Sequence, residues 1–161
     1  MFKKTLIIVS TLLALSGCKH FVGESSYDSN TGGHHGEHMN VTPGTQGDLE
    51  VNVGDRVLFG YDSSALDQEA QNTLDRQADW FKRYADTKIT IEGHCDERGT
   101  REYNLALGER RANAAKKYLV AAGIDSSRIS VISYGKERPA VMGANEEIWA
   151  QNRRAVSIVV N

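Results

Sequence analysis

Hydrophobic and polar positions beyond about residue 50 follow two alternating periods, one typical of strands and the other typical of helices. Short apolar or alternating runs predict strands, and longer stretches with apolar residues at helical spacing predict amphipathic helices. In chain order, the predicted elements are strand 56–59, helix 66–84, strand 88–92, helix 103–122, strand 128–134, short helix 146–150 and strand 155–160. This β-α-β-α-β-(α)-β order predicts a two-layer α+β domain with helices on one face of a mixed sheet.

The first residues have the layout of a secretory signal. Lys3 and Lys4 precede an apolar run from Leu6 to about Leu15, which is too short to span a bilayer comfortably. The run ends in Leu-Ser-Gly-Cys, which resembles the bacterial lipobox, in which the cysteine is lipidated and becomes the mature N-terminus. We therefore expect residues 1–17 to be a signal peptide and Cys18 to carry lipid. An ordinary signal peptide with an incidental cysteine is the alternative.

Residues 18–48 are rich in Gly, Ser, Asn and Thr and lack apolar periodicity. Such a segment buries too little surface to offset its ordering entropy, so we expect a flexible tether that leads to a globular domain over 49–161. His34, His35 and His38 lie in this segment, and clustered histidines can bind metal. Since no constellation of cysteine or carboxylate side chains completes a site, a polar linker is the favoured interpretation.

Composition and charge narrow the possible functions. The chain has 161 residues, of which 40% are hydrophobic and 25% charged, so a normal core is possible. A net charge of −2 offers no basic face for nucleic acid. The two cysteines, Cys18 and Cys95, cannot form a disulfide framework.

The segment GHCDERG, at 93–99, concentrates side chains that occur in metal sites and in thiol catalysis. If the strand continues this far, Cys95 shares the parity of the apolar Ile91, whereas His94 and Asp96 point to the opposite face. Adjacent residues on opposite faces form a poor nucleophile–base pair, and His94 with Asp96 lacks a third metal ligand. We therefore expect Cys95 to be a packed residue, with no catalytic or metal-binding role.

Arg111 lies on the predicted apolar stripe of its helix. At about 100° per residue it falls between Tyr118 and Ala122, whereas its neighbour Arg110 falls outside the stripe. A buried guanidinium needs a carboxylate partner. That partner is either an internal acid such as Asp96 or the carboxylate of a ligand, and the helical pattern alone favours neither.

Five motifs are long and specific: GHCDERGT (93–100), EYN (102–104), LGERRA (107–112), YGKE (134–137) with Pro139, and NRRA (152–155). Together they resemble the peptidoglycan-associated lipoprotein branch of the OmpA-like domain family, over about residues 55–160. The lipobox and the tether agree with that branch.

The resemblance implies a domain that binds the diaminopimelate residue of the peptidoglycan stem peptide. Such a domain catalyses no reaction on the peptide and needs no cofactor. Matched by motif position, Asp96 would accept the ammonium of that residue and Arg111 would bind its carboxylate. The other implied contacts are backbone groups at Phe59 and Gly60 and the pocket residues Asn104 and Leu107. Many members carry an acidic residue where this chain has Gly60, and a small one where it has Cys95, so a side-chain contact at position 60 would be missing here.

The resemblance also implies an outer-membrane lipoprotein that faces the periplasm and ties membrane to wall within the Tol-Pal envelope system, with TolB and other Tol proteins as partners. Two alternatives stay open. One is a cell-wall hydrolase that uses Cys95 or the acidic pair Asp96 and Glu97. The other is a periplasmic scaffold whose main ligand is a protein.

Overall fold

The computed structural model describes residues 41–160. The predicted signal peptide, Cys18 and the linker histidines lie outside the described residues. Within the described range, none of the helices combines the length and the apolar character that a membrane crossing requires.

The described chain forms helices on one face of a mixed four-stranded sheet, which confirms the predicted fold class. In chain order, the elements are α1 (Gln46–Asn52), β1 (Arg56–Leu58), α2 (Gln68–Arg83), β2 (Lys88–His94), α3 (Arg101–Ala121), a 3-10 turn (Ser126–Arg128), β3 (Ile129–Gly135), α4 (Glu146–Asn152) and β4 (Arg154–Val160). The strand order is β1-β4-β2-β3. β4 runs antiparallel to both β1 and β2, and β3 runs parallel to β2.

The core lies between the sheet and the helices α2 and α3. The alternation in β2 directs Ile89 and Ile91 into it, where both are buried. From α2, the apolar residues at helical spacing that predicted the element reach the same core. Burial of this apolar surface is the main force that holds the two layers together.

The folded domain begins earlier than the predicted boundary at residue 49. Thr45 caps α1 by accepting a hydrogen bond from the backbone N–H of Asp48 at 3.4 Å. The Asp48 carboxylate accepts hydrogen bonds from the N–H of Gly44 at 2.8 Å and from the indole of Trp80 at 3.0 Å. These contacts order a polar segment that has no periodicity of its own, so the predicted tether is shorter at its C-terminal end.

Helix α3 packs against β2 through two glycines. A Cβ on Gly93 would lie 1.8 Å from the carbonyl oxygen of Gly108, and a Cβ on Gly108 would lie 2.9 Å from the carbonyl oxygen of Gly93. Only glycine allows backbones to approach so closely. This contact fixes α3 against the end of β2 and sets the position of Arg111, three residues further along the helix.

Candidate ligand-binding site

A pocket of about 350 Å³ opens between the loop after β1, the end of β2 and the start of α3. Its lining residues are Tyr61, Asp62, Cys95, Asp96, Arg98, Gly99, Tyr103, Asn104, Leu107 and Arg111. Four of the six residues that the resemblance implies, Asp96, Asn104, Leu107 and Arg111, therefore border one cavity. Phe59 and Gly60 are not among the lining residues and contact Arg111 instead.

Arg111 is completely buried and is held by backbone carbonyls. Its Nε donates to the oxygen of Ser63 at 2.8 Å, Nη1 to that of His94 at 2.9 Å and Nη2 to that of Gly60 at 3.0 Å. The centre of the guanidinium lies 5.3 Å from the ring centroid of Phe59. The loop after β1 and the end of β2 thus fix this side chain from two sides.

The positive charge of Arg111 is not neutralised by any carboxylate within ion-pair distance in the described part of the chain. The internal salt bridge to Asp96 that the sequence left open is absent there, because Asp96 pairs with other arginines. Burial lowers the pKa of Arg111, with nearby Asp96 acting in the opposite direction. A guanidinium has five N–H groups, and three carbonyl contacts leave two for a ligand carboxylate.

Asp96 lines the same pocket as Arg111, and both of its carboxylate oxygens accept two hydrogen bonds. Its Oδ1 accepts from the backbone N–H of Arg98 at 3.1 Å and from Nε of Arg98 at 3.2 Å. Its Oδ2 accepts from Nη2 of Arg98 at 2.6 Å and from Nη1 of Arg153 at 3.5 Å. Burial opposes ionisation, but the hydrogen bonds from Arg98 outweigh it and lower the pKa of Asp96.

Arg98 forms part of the pocket wall and lies against two aromatic rings. Its guanidinium lies 4.2 Å from the ring centroid of Tyr61 and 4.1 Å from that of Trp149. Nη1 of Arg98 lies 3.5 Å from a carboxylate oxygen of Glu146. The side chain of Arg98 nevertheless remains 29% exposed, so the charge sits at the mouth of the pocket.

Cys95 is buried, as the alternation predicted, although β2 ends one residue earlier. Its thiol donates to the carbonyl of Asn104 at 3.3 Å, and burial raises the pKa of the thiol. A thiol kept protonated is a poor nucleophile. His94 faces the other side of the sheet, where its ring packs against Tyr134 at 5.7 Å between centroids.

Sequence reasoning missed three residues that shape the pocket. Arg98 and Tyr103 belong to the DERG and EYN motifs, yet neither was given a role, and Tyr61 had no signal beyond being an aromatic residue in a loop. Tyr103 donates a hydrogen bond to Asp62, which joins α3 to the loop after β1 at the rim. No cluster of three histidine, cysteine or acidic side chains suited to a metal occurs among residues 41–160.

The sequence profile of the OmpA family matches residues 58–153, which include the whole pocket. The chain belongs to the OmpA family. Within that family it is 47% identical over 156 residues to the peptidoglycan-associated lipoprotein of Agrobacterium fabrum, covering 96% of this chain and 86% of the relative. The peptidoglycan-associated lipoprotein of Pseudomonas aeruginosa is 39% identical, with 95% of this chain and 94% of the relative covered. These relatives confirm the branch that the motifs indicated.

Two solved structures share the fold. The peptidoglycan-associated lipoprotein of Burkholderia pseudomallei aligns with a TM-score of 0.64 at 40% identity, over 66% of this chain and 90% of that one. The C-terminal domain of Helicobacter pylori MotB aligns with a TM-score of 0.62 at 22% identity, over 66% of this chain and 84% of that one, and supports the fold alone.

Proposed function

We propose that this protein is an outer-membrane lipoprotein that binds the stem peptide of peptidoglycan non-covalently in the pocket between Asp96 and Arg111. The observation that carries the proposal is the fully buried Arg111, whose charge has no carboxylate partner within residues 41–160 and which borders a pocket. A buried cation of this kind favours an anionic ligand. The relatives' shared name, peptidoglycan-associated lipoprotein, supplies the polymer from which that ligand comes.

The free end of a diaminopimelate residue suits the charges of this pocket. It is a zwitterion, and the pocket presents a cation at Arg111 and an anion at Asp96. Charge-assisted hydrogen bonds contribute roughly 1.5–3 kcal/mol each, so a few contacts correspond to about −8 kcal/mol, or micromolar affinity. Because the wall offers many stems, avidity makes tighter single-site binding unnecessary.

The proposed arrangement along the chain is a signal peptide (1–17), a lipid on Cys18, a tether and a folded periplasmic domain. The domain would link the outer membrane to the wall, and TolB and other Tol proteins would be its protein partners. Catalysis is not part of the proposal, because the Cys95 thiol is buried with a raised pKa and Asp96 is already bound to arginines. The names of the relatives given above also describe no enzymatic activity.

Incubation with purified peptidoglycan tests the binding function. We expect the protein to co-sediment with the wall without release of soluble fragments. Release of fragments would favour a hydrolase, and absence of co-sedimentation alongside retention of protein partners would favour the scaffold.

Two substitutions test the pocket itself. Arg111→Lys keeps the charge but loses the planar fork, and Asp96→Asn keeps the shape but loses the charge. Each should weaken binding of a soluble stem peptide at least tenfold, or ~1.4 kcal/mol. Arg110→Lys, next in the chain and exposed, is the matched control and should bind like the parent. If both pocket variants melt and bind like the parent, the pocket is not the site.

A further inference from the structure

The hydrogen bonds of Asp96 raise a difficulty for any ligand that brings an ammonium. An ionised carboxylate offers about four lone-pair positions. In the structure all of them have donors, three from Arg98 and one from Arg153, and the residue is only 4% exposed. An ammonium therefore cannot be added to Asp96 and must replace one of the donors already there.

Arg98 is the donor that can leave. The side chain of Arg153 is 8% exposed, and it is tied by Nε to the carbonyl of Phe59 at 3.0 Å and by Nη2 to Glu146 at 2.8 Å. The side chain of Arg98 is 29% exposed and lies at the pocket mouth.

Arg98 also keeps favourable contacts once it releases Asp96. Glu146 is already 3.5 Å from its Nη1, and the ring centroids of Tyr61 and Trp149 lie 4.2 Å and 4.1 Å from its guanidinium. Cation–π contacts and an acidic neighbour both stabilise a guanidinium, so the released charge would not be stranded. The exchange replaces one cation on Asp96 with another and leaves the net charge of the protein unchanged.

We propose that Arg98 occupies the position on Asp96 that the ligand ammonium takes, so that binding exchanges one cation for the other. The inference rests on the proposed function and deepens it. Arg98 acts as a specificity-determining residue, because a simple amine has to compete with a chelating guanidinium for Asp96. A zwitterion gains the second contact, with Arg111, that makes displacement favourable. The pocket thereby discriminates against amines that lack an adjacent carboxylate.

Calorimetric titration with two probes tests the exchange. The probes are the stem tripeptide with a free diaminopimelate ammonium and the same tripeptide with that amine acetylated. In Arg98→Gln the competitor is gone, so the free tripeptide should bind about tenfold more tightly than to the parent, or ~1.4 kcal/mol. Binding of the acetylated tripeptide should not change. Arg101→Gln removes a nearby charge whose side chain is 62% exposed and should bind both probes like the parent.

A second measurement uses the parent protein, in case Arg98→Gln does not fold. The Nε–H of Arg98 bonds to Asp96 and should give a protected arginine signal in NMR spectra. Addition of the free tripeptide should shift this signal and speed its exchange with water, whereas the acetylated tripeptide should not.

The outcomes separate the two proposals. Binding by the parent with an unchanged Arg98 signal, or unchanged or weaker binding by a folded Arg98→Gln, overturns the exchange and leaves the proposed function standing. Equal tightening for both probes also overturns it, because competition with the ammonium predicts a difference. If the parent binds neither of the two probes, both the proposed function and the exchange are overturned.

Discussion

Arg111 carries a positive charge with no exposed surface, and three backbone carbonyls keep it in place. A guanidinium fixed in this way loses little further rotamer freedom when a ligand binds, so the site is preorganised on its cationic side. Its anionic side is different, since Asp96 is bound by the partly exposed Arg98. The pocket thus combines a cation held rigidly, Arg111, with an anion, Asp96, whose partner Arg98 we propose to be exchangeable.

His94 makes the stability of the domain depend on pH. Its ring nitrogens have no hydrogen-bond partner, although Nε2 lies 3.4 Å from a carboxylate oxygen of Glu92. That contact lacks the geometry of a hydrogen bond. Burial, followed by the charge of Arg154 and a smaller effect from the charge of Arg56, lowers the pKa of His94 to about 4, so the ring is neutral near pH 7.

The unfolded chain, with a histidine pKa of about 6.5, takes up a proton before the folded chain does. Stability should therefore fall as the pH drops from about 6.5 to about 4, by at most roughly 3 kcal/mol from His94. Urea unfolding at pH 7, 5.5 and 4.5 measures this loss, and His94→Phe should reduce it. Other titrating groups, including the histidines of the predicted tether, are common to the parent and to His94→Phe. Their contributions to the pH dependence of stability therefore cancel when the two proteins are compared. Parallel pH profiles for the two would show that His94 does not titrate in this range.

Cys95 should be replaceable without loss of binding. Its thiol lies in the pocket wall and donates one weak hydrogen bond to the carbonyl of Asn104. Cys95→Ala should cost about 1 kcal/mol of stability, a typical value for a small buried change. Thermal melts and wall co-sedimentation together check this. A folded Cys95→Ala that no longer binds the wall would show that the thiol has a functional role.

The helices and strands that could be predicted from the sequence are those whose own apolar residues recur at a regular spacing. Helices α2 and α3 begin and end within two residues of the predicted bounds. Helix α1 was missed because long-range contacts, such as that between Asp48 and Trp80, order it rather than an apolar pattern. Long-range contacts also limit how much of the site could be predicted. The helical period placed Arg111 on the buried face of its helix, but the carbonyls that it binds come from two other segments of the chain.

The contact between β2 and α3 supports the strongest prediction at this scale. Gly93→Ala would place a methyl group 1.8 Å from a backbone oxygen of Gly108, and helix and strand would have to separate. We expect a loss of about 3 kcal/mol or more in denaturant unfolding, at the upper end for overpacking, with weaker stem binding as Arg111 moves.

Gly60→Ala is the matched control for this change. The nearest atom to a Cβ at Gly60 is 3.7 Å away, and the carbonyl that Gly60 offers to Arg111 is retained. Stability and binding should stay close to those of the parent. Equal effects of the two substitutions would mean that the glycine contact does not set the position of α3.

For the whole molecule, the proposed function needs the domain to stay near a membrane while its pocket reaches the wall. The proposed anchor is the lipid on Cys18, which the Leu-Ser-Gly-Cys sequence at the end of the apolar run supports. A single acyl chain holds only marginally, so stable attachment requires more than one chain.

Cys18→Ser tests this anchor directly. The substitution removes the thiol that would carry the lipid and leaves every residue of the folded domain unchanged. We expect the variant to leave the membrane fraction, to melt like the parent and to bind soluble stem peptide with the same affinity. Its co-sedimentation with isolated wall should also persist, because the pocket is intact. Fractionation after a high-salt wash provides the measurement, since salt removes proteins held by surface charge alone. Retention of Cys18→Ser in the washed membranes would contradict lipid anchoring, and loss of stem binding by the released protein would show that the pocket depends on the anchor.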